Sequence, residues 1–226
     1  MKVMIHACPK RMWYVENFLI PQLQAQGITD IIVWNDEKKE GNLASFVNSS
    51  KFVKDNLNDL GVGIWHLQDD VLLSRNFKET AERMPDNIIC NGISHSDGED
   101  SKLMGLQPIN KCWWSFQCIY IPNKILAGFY EWFIKKCLID KKYQGMVKAR
   151  KYDDYFFALY LRNKYKKLKC YNMVPNIVQH IDYLIGGRIA NANLKMELRG
   201  KYWVEKELEE KLKTEIDEWR KKHDNA

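Results

Sequence analysis

The sequence predicts an α/β fold: a β-sheet flanked by helices, finished by an amphipathic C-terminal helix. Three observations predict it. Over roughly the first 70 residues, β-rich and helical runs alternate as strand, helix, strand, helix, strand, the pattern of parallel strands joined by crossover helices. Apolar residues make up 46% of the 226 residues and aromatic residues 12%, ample for a substantial core. Near the C-terminus, Trp203, Leu208, Leu212, Ile216 and Trp219 recur at spacings of five, four, four and three, one apolar stripe on a helix.

Taken in order, "KVMIHA" (2–7) is a short β-rich run and "CPKR" after it a loop. Val15, Phe18, Leu19 and Leu23 have helical spacing, and that helix stops at Gly27. "DIIVWND" (30–36) is a second strand, residues 41–57 a helix, and "GVGIWHLQDD" a third strand entered through glycines. A short helix around 76–84, a strand in 86–94 and a polar loop follow. "CWWSFQCIYIPNKIL" (112–126) is aromatic and β-rich. "AGFYEWFIKKCLI" and "KYDDYFFALYLRNK" read as helices separated by a lysine-rich connector, and "LKCYNMVPNIVQHID" (168–182) as a last strand with a polar landing. The expected organisation is a main domain over 1–192 and a charged helical extension over 193–226, packed on the domain or on a second copy in a homodimer.

Composition excludes several classes. No stretch approaches the roughly 18 to 20 consecutive apolar residues of a membrane span, and the N-terminus lacks the features of a signal peptide. A cytoplasmic protein is the expectation. Six scattered cysteines form no C-x-x-C pair, which fits reduced, packed thiols rather than a zinc site. The formal charge of +6 is uneven: between Lys135 and Cys170 there are twelve basic and three acidic residues. That field would attract a polyanion, although a solvated helix face explains it equally well. No glycine-rich G-x-G-x-x-G or Walker loop follows a strand.

The chemistry concentrates at strand ends, where open α/β sheets bind ligands. "HLQDD" closes the third strand on Asp69 and Asp70, two carboxylates that repel each other unless they face water or a cation. Period-two alternation would send the two to opposite faces, so that only one points into a given site. Arg11 and Asp36 also fall at strand ends and could converge with Asp70. Asp153 and Asp154 open a helix, where free N–H groups and the dipole stabilise carboxylates. His180 stands just after the expected final strand. A carboxylate with an imidazole suits Mn²⁺, whereas Mg²⁺ prefers oxygen ligands and water. A metal there would offset both the carboxylate repulsion and the charge of a diphosphate leaving group.

In that order, "HLQDDV", "DDYFF" and "VPNIVQHID" behind an N-terminal β-α-β half resemble the metal-dependent glycosyltransferases of the GT-A fold, over roughly residues 2 to 190. The resemblance implies a Rossmann-type mixed sheet and a sugar transfer from a nucleotide-sugar donor, a UDP-sugar being favoured, to a hydroxyl acceptor. It also implies that "QDD" is the D-x-D-type motif, with Asp70 on a Mn²⁺ (or Mg²⁺) and Asp69 near the ribose or the metal. Gln68 stands where the family usually has an acid. Asp36, Pro9 and Arg11 would contact the nucleotide, His180 would be the late metal ligand, and Asp154 or Asp153 the base. Trp113 and Trp114 would line the acceptor side. An acid pair at a helix start favours inversion. The acceptor expected from the basic segment is a polyanion, either a modified base in DNA or an anionic cell-surface glycan. Two other classes remain open: a nucleotidyltransferase, whose glycine- and lysine/arginine-rich loop "HACPKRMW" does not supply, and a nonenzymatic nucleic-acid-binding protein.

Overall fold

The computed structural model describes residues 1–93, 105–108, 116–149, 153–165, 170–186 and 203–223. The chain starts with β1 (Val3–Ala7) and a 3-10 turn (Pro9–Arg11). That turn leads through α1 (Met12–Tyr14) and a π-helical stretch (Val15–Leu19) into α2 (Ile20–Ala25). β2 (Ile31–Asn35), α3 (Asn42–Asp55), β3 (Gly63–Gln68), β4 (Val71–Leu73), α4 (Phe77–Glu82), β5 (Ile89–Asn91) and β6 (Gly105–Pro108) follow. The remainder comprises β7 (Cys118–Pro122), α5 (Asn123–Trp132) running on as a π-helix (Phe133–Cys137), α6 (Lys141–Ala149) and α7 (Asp153–Lys164). β8 (Cys170–Val174), β9 (Val178–His180) and α8 (Lys206–His223) complete it.

Seven strands form one mixed sheet in the order β2-β1-β3-β7-β5-β8-β6, and β4 pairs with β9 in a separate two-stranded ribbon. β1 lies parallel between β2 and β3, as the sequence alternation requires. Sheet direction then changes, because β7 runs antiparallel to both β3 and β5. Buried side chains alternate between two apolar clusters, in line with the period of a strand. Val3, Ile5, Trp65, Leu67 and Tyr120 face the first helices, α4 and α8, while Met4, Ile64, Ile119 and Ile121 face α3, α5 and α7.

Several elements differ from the sequence reading: β4 and β6 are not among the expected strands, and Trp203 precedes α8 instead of lying on its stripe. The lysine-rich connector contains the helix α6, because Tyr143 and Val147 turn inward against the α3/α5/α7 cluster while Lys141, Lys142 and Lys148 stay exposed. The expected last strand is two: Pro175 interrupts it, and the second piece leaves the main sheet to pair with β4.

The apolar stripe of the C-terminal helix is covered by its own chain. Leu212 and Ile216 are buried in the first cluster, Trp219 stacks on Trp13 with ring centroids 4.7 Å apart, and Arg220 donates to the Leu184 carbonyl. Ile216→Ala is expected to cost about 2–5 kcal/mol of unfolding free energy. Urea unfolding should show that loss at every protein concentration, since the contact is intramolecular. A loss that shrinks as concentration rises would point to a dimer interface instead.

On the α3 side of the sheet, His6 Nε2 and His66 Nδ1 are 2.9 Å apart, the two rings stack on each other, and Phe46 meets His66 edge-on. Burial lowers His6 to about 4, and burial with the neighbouring His6 takes His66 well below its ordinary value. Both imidazoles are therefore neutral in the folded state. In the unfolded chain they take protons near pH 6.5, so their contribution is complete above that pH and is lost as pH falls toward about 4. The expected loss from His6 alone is on the order of 3 kcal/mol across that window, and His66 adds to it. Urea midpoints measured against pH should show it, with a shallower fall in His6→Asn; identical slopes would contradict the neutral pair.

Candidate metal centre

β3 ends at Gln68, one residue before the aspartate pair, and residues 69 and 70 form a turn into β4. Strand alternation therefore does not extend to the pair, and the two carboxylates do not diverge. Both converge on one guanidinium: Arg11 Nη1 donates to Asp69 Oδ1 at 2.8 Å and to Asp70 Oδ2 at 2.7 Å. The two aspartates are buried, each about 5% exposed, so water does not relieve their repulsion; Arg11 does. Arg11 reaches them because the 3-10 turn carries it back over the end of β1, and Pro9 opens that turn with the fixed φ suited to a first helical position. The backbone N–H of Cys8 donates to Asp69 Oδ2 at 2.7 Å and fixes the second oxygen.

The other half of the cluster arrives through the ribbon. Val71 pairs with His180, and the Ile181 N–H donates to the Asp70 carbonyl at 2.8 Å. This register sets His180 Nε2 3.1 Å from Asp70 Oδ2 and brings Asp182 onto Arg11 Nη2. Asp182 is the residue that local sequence does not disclose. A single acid two residues beyond a strand has no pattern, and only the β4–β9 pairing makes it a neighbour of Asp70.

The electrostatics follow from three buried carboxylates facing one guanidinium and one imidazole. Burial pushes the Asp70 carboxyl up, but attraction to His180 and Arg11 outweighs it and holds the group below the ordinary range. Burial and the Asp70 charge raise Asp69, only partly countered by Arg11. Burial disfavours the charged form of His180, yet attraction and the hydrogen bond to Asp70 leave its pKa raised. The carboxylates outnumber the resident cations unless His180 is charged and one further proton is shared.

Ligand atoms of Asp70, His180 and Asp182 all lie within 4.8 Å of one another. The set fits a divalent cation on two counts. Two carboxylates and an imidazole are an acceptable donor set for Mn²⁺. In addition, Asp70 Oδ1 and His180 Nδ1 are buried without a hydrogen-bond partner, an arrangement that costs free energy unless something binds them.

The remaining sequence candidates fall elsewhere. Asp36 lies just past β2, beside the end of β1, and its two oxygens accept the N–H groups of Glu40 and Gly41, closing a turn. Pro9 is exposed on the rim of the Arg11 turn. Asp153 and Asp154 open α7, where the Asp154 N–H donates to Asp153 Oδ1 and the Tyr155 N–H to Asp154 Oδ1. Burial and the adjacent Asp154 charge raise Asp153 to about 7. The two are not members of the Asp70–His180–Asp182 group. Trp113 and Trp114 lie outside the described residues. The described cysteines are free thiols, as their spacing predicts. Among the described residues no helix is long and apolar enough to cross a membrane.

No family model matches the chain, and no curated protein matches it. Solved structures that match at low identity include the following three. A197 from STIV has a TM-score of 0.46 at 12% identity, with 80% of this chain and 86% of that one covered. A glycosyltransferase involved in the glycosylation of the major capsid of PBCV-1 has a TM-score of 0.37 at 12% identity, covering 58% and 67%. The inositol-1-phosphate CTP transferase from T. maritima has a TM-score of 0.42 at 13% identity, covering 87% and 74%.

Proposed function

We propose that this chain is a divalent-metal-dependent glycosyltransferase that moves a sugar from a nucleotide-sugar donor, a UDP-sugar being favoured, to a hydroxyl acceptor with inversion. The observation that carries the reading is the buried Asp70–His180–Asp182 group at the end of β3, with two of its polar atoms unpartnered. The motif order "HLQDDV", "DDYFF", "VPNIVQHID" supports it.

Asp70, His180 and Asp182 would hold the cation, whose chemistry is to neutralise charge on the departing diphosphate. Asp69, tied by the Cys8 N–H and Arg11, stays beside them and orders the loop that the donor meets. Arg11 is the residue able to exchange carboxylate partners for phosphate oxygens, because a guanidinium pairs with either in the same forked geometry. Asp36, at the end of the neighbouring strand, is the proposed nucleoside contact. Asp153 is the preferred general base, since a carboxyl near 7 can both accept a proton at neutral pH and give it up afterwards. The acceptor class is a polyanion, proposed from the basic residues that flank α7 in sequence: modified DNA or an anionic glycan.

A donor-hydrolysis screen over UDP-, GDP- and other activated sugars, with Mn²⁺ and with EDTA, tests the reading directly. Release of free nucleotide diphosphate with at least one donor, lost in EDTA, is expected. Turnover unchanged by EDTA would remove the metal from the mechanism.

A further inference from the structure

Where the π-helix Phe133–Cys137 meets α6, two aliphatic side chains stand out of the protein: Leu138 is 46% exposed and Ile139 69%. The other large hydrophobics exposed among the described residues (Met1, Val33, Val62, Tyr165 and Val204) are scattered singly, which is ordinary for a soluble surface. This pair is different in being adjacent and flanked by four lysines against one aspartate. Lys135 and Lys136 precede it and Lys141 and Lys142 follow, all four exposed. The one acid between them, Asp140, is engaged in structure: its Oδ1 accepts the Lys142 N–H at 2.9 Å at the start of α6.

The turn is held firmly enough to present these groups rather than bury them. Cys137 is buried beneath it, the Leu138 N–H donates to the Phe133 carbonyl, and Gln144 Nε2 donates to the Leu138 carbonyl at 2.6 Å. The N–H groups of Tyr143 and Gln144 both reach the Asp140 carbonyl. The side chains of Leu138 and Ile139 thus project from a turn tied by these hydrogen bonds, an arrangement that keeps apolar surface in water without local benefit.

We propose that this tip docks the protein onto an anionic membrane surface, with Leu138 and Ile139 entering the headgroup–acyl boundary and the four lysines meeting acidic lipid headgroups. The two halves are complementary to one partner. Apolar side chains bind at the bilayer interface in proportion to the area they bury, and lysines at its surface each add roughly fivefold to partitioning onto acidic lipid. A nucleic-acid backbone would use the lysines alone and leave the aliphatic pair in water, and the one aromatic beside the tip, Tyr143, packs inward against the α3/α5/α7 cluster rather than offering a free face to a base. The attachment would be peripheral and reversible, and it does not depend on the metal group or on the proposed base.

The test is cosedimentation of the full chain with vesicles of phosphatidylcholine alone and of phosphatidylcholine with phosphatidylserine. Binding at least tenfold stronger to the acidic vesicles is expected, weakened by added salt. The double variant Leu138→Ser/Ile139→Ser should lose about tenfold while melting like the parent, because both side chains are already in water. Replacing Lys135, Lys136, Lys141 and Lys142 by Gln should abolish the preference for acidic lipid. Equal binding to neutral and acidic vesicles, or an unaffected double Ser variant, would overturn the proposal. Absence of vesicle binding together with lysine-dependent binding to duplex DNA would overturn it in favour of nucleic acid. A dimer in solution that the double Ser variant dissociates would assign the tip to a second copy instead.

Discussion

Asp70→Asn is expected to reduce sugar transfer by about a thousandfold or more while leaving the protein folded, which corresponds to roughly 4 kcal/mol of transition-state stabilisation. The amide keeps the shape of the carboxylate but contributes no charge, so it weakens any cation held with His180 and Asp182 and also loosens Arg11. Asp70→Ala is the poorer experiment. It leaves the buried Arg11 and His180 without their shared partner, and breaking a buried ion pair from one side costs about 3–5 kcal/mol of stability. The loss in Asp70→Asn should coincide with loss of Mn²⁺ binding measured by calorimetry on the free protein. His180→Ala should weaken metal binding too, but less, because two carboxylates remain. Turnover in Asp70→Asn comparable to the parent would exclude the aspartate pair from catalysis.

The second large effect concerns the acid pair at the start of α7. Asp153→Asn should lower turnover by about a hundredfold to ten-thousandfold with little change in donor affinity, as befits a group acting on the acceptor proton in the transition state. In the parent, burial and Asp154 hold Asp153 at about 7, and the base form is required, so turnover should rise with pH through about 7. Asp154→Asn separates the roles. Removing the neighbouring charge lets Asp153 ionise at lower pH, so the profile should move down in pH while the plateau rate survives. If Asp154→Asn instead abolishes the plateau and Asp153→Asn leaves it, Asp154 is the base and Asp153 the charge beside it.

How much of this could be read in advance depended on how local the information is. β1, β2 and β3 were legible because each is a short apolar run bounded by turn residues, and the alternation with helices fixes their parallel pairing. The mixed direction of the sheet was not a local property, since nothing in "CIYIP" says that it will run against β3. The aspartate pair stood out, and so did His180, but their contact depends on Val71 meeting His180 across the chain. Asp182 shares that dependence and offers no pattern of its own. Arg11 was legible as a candidate from its place after β1, at a strand end. That it would sit among three carboxylates required knowing where both ends of the molecule fold. The lysine-rich stretch concealed α6 because its charge resembles a linker, whereas Tyr143 and Val147, four apart, carry the helical face.

The β4–β9 ribbon also has a consequence for the order in which the protein becomes competent. Arg11 and Asp182 are separated by 171 residues, and closing a loop of that size costs on the order of 5 kcal/mol in chain entropy. A nascent chain carries Arg11, Asp69 and Asp70 long before it carries His180 or Asp182, so a stalled or truncated product holds only part of the ligand set. A chain cut short of β9 lacks His180 and Asp182, and with them the complete Asp70–His180–Asp182 group. On refolding from urea, Mn²⁺ binding should return with the slowest kinetic phase. Its return ahead of the burial of Trp219 against Trp13 would show that the ribbon forms early instead.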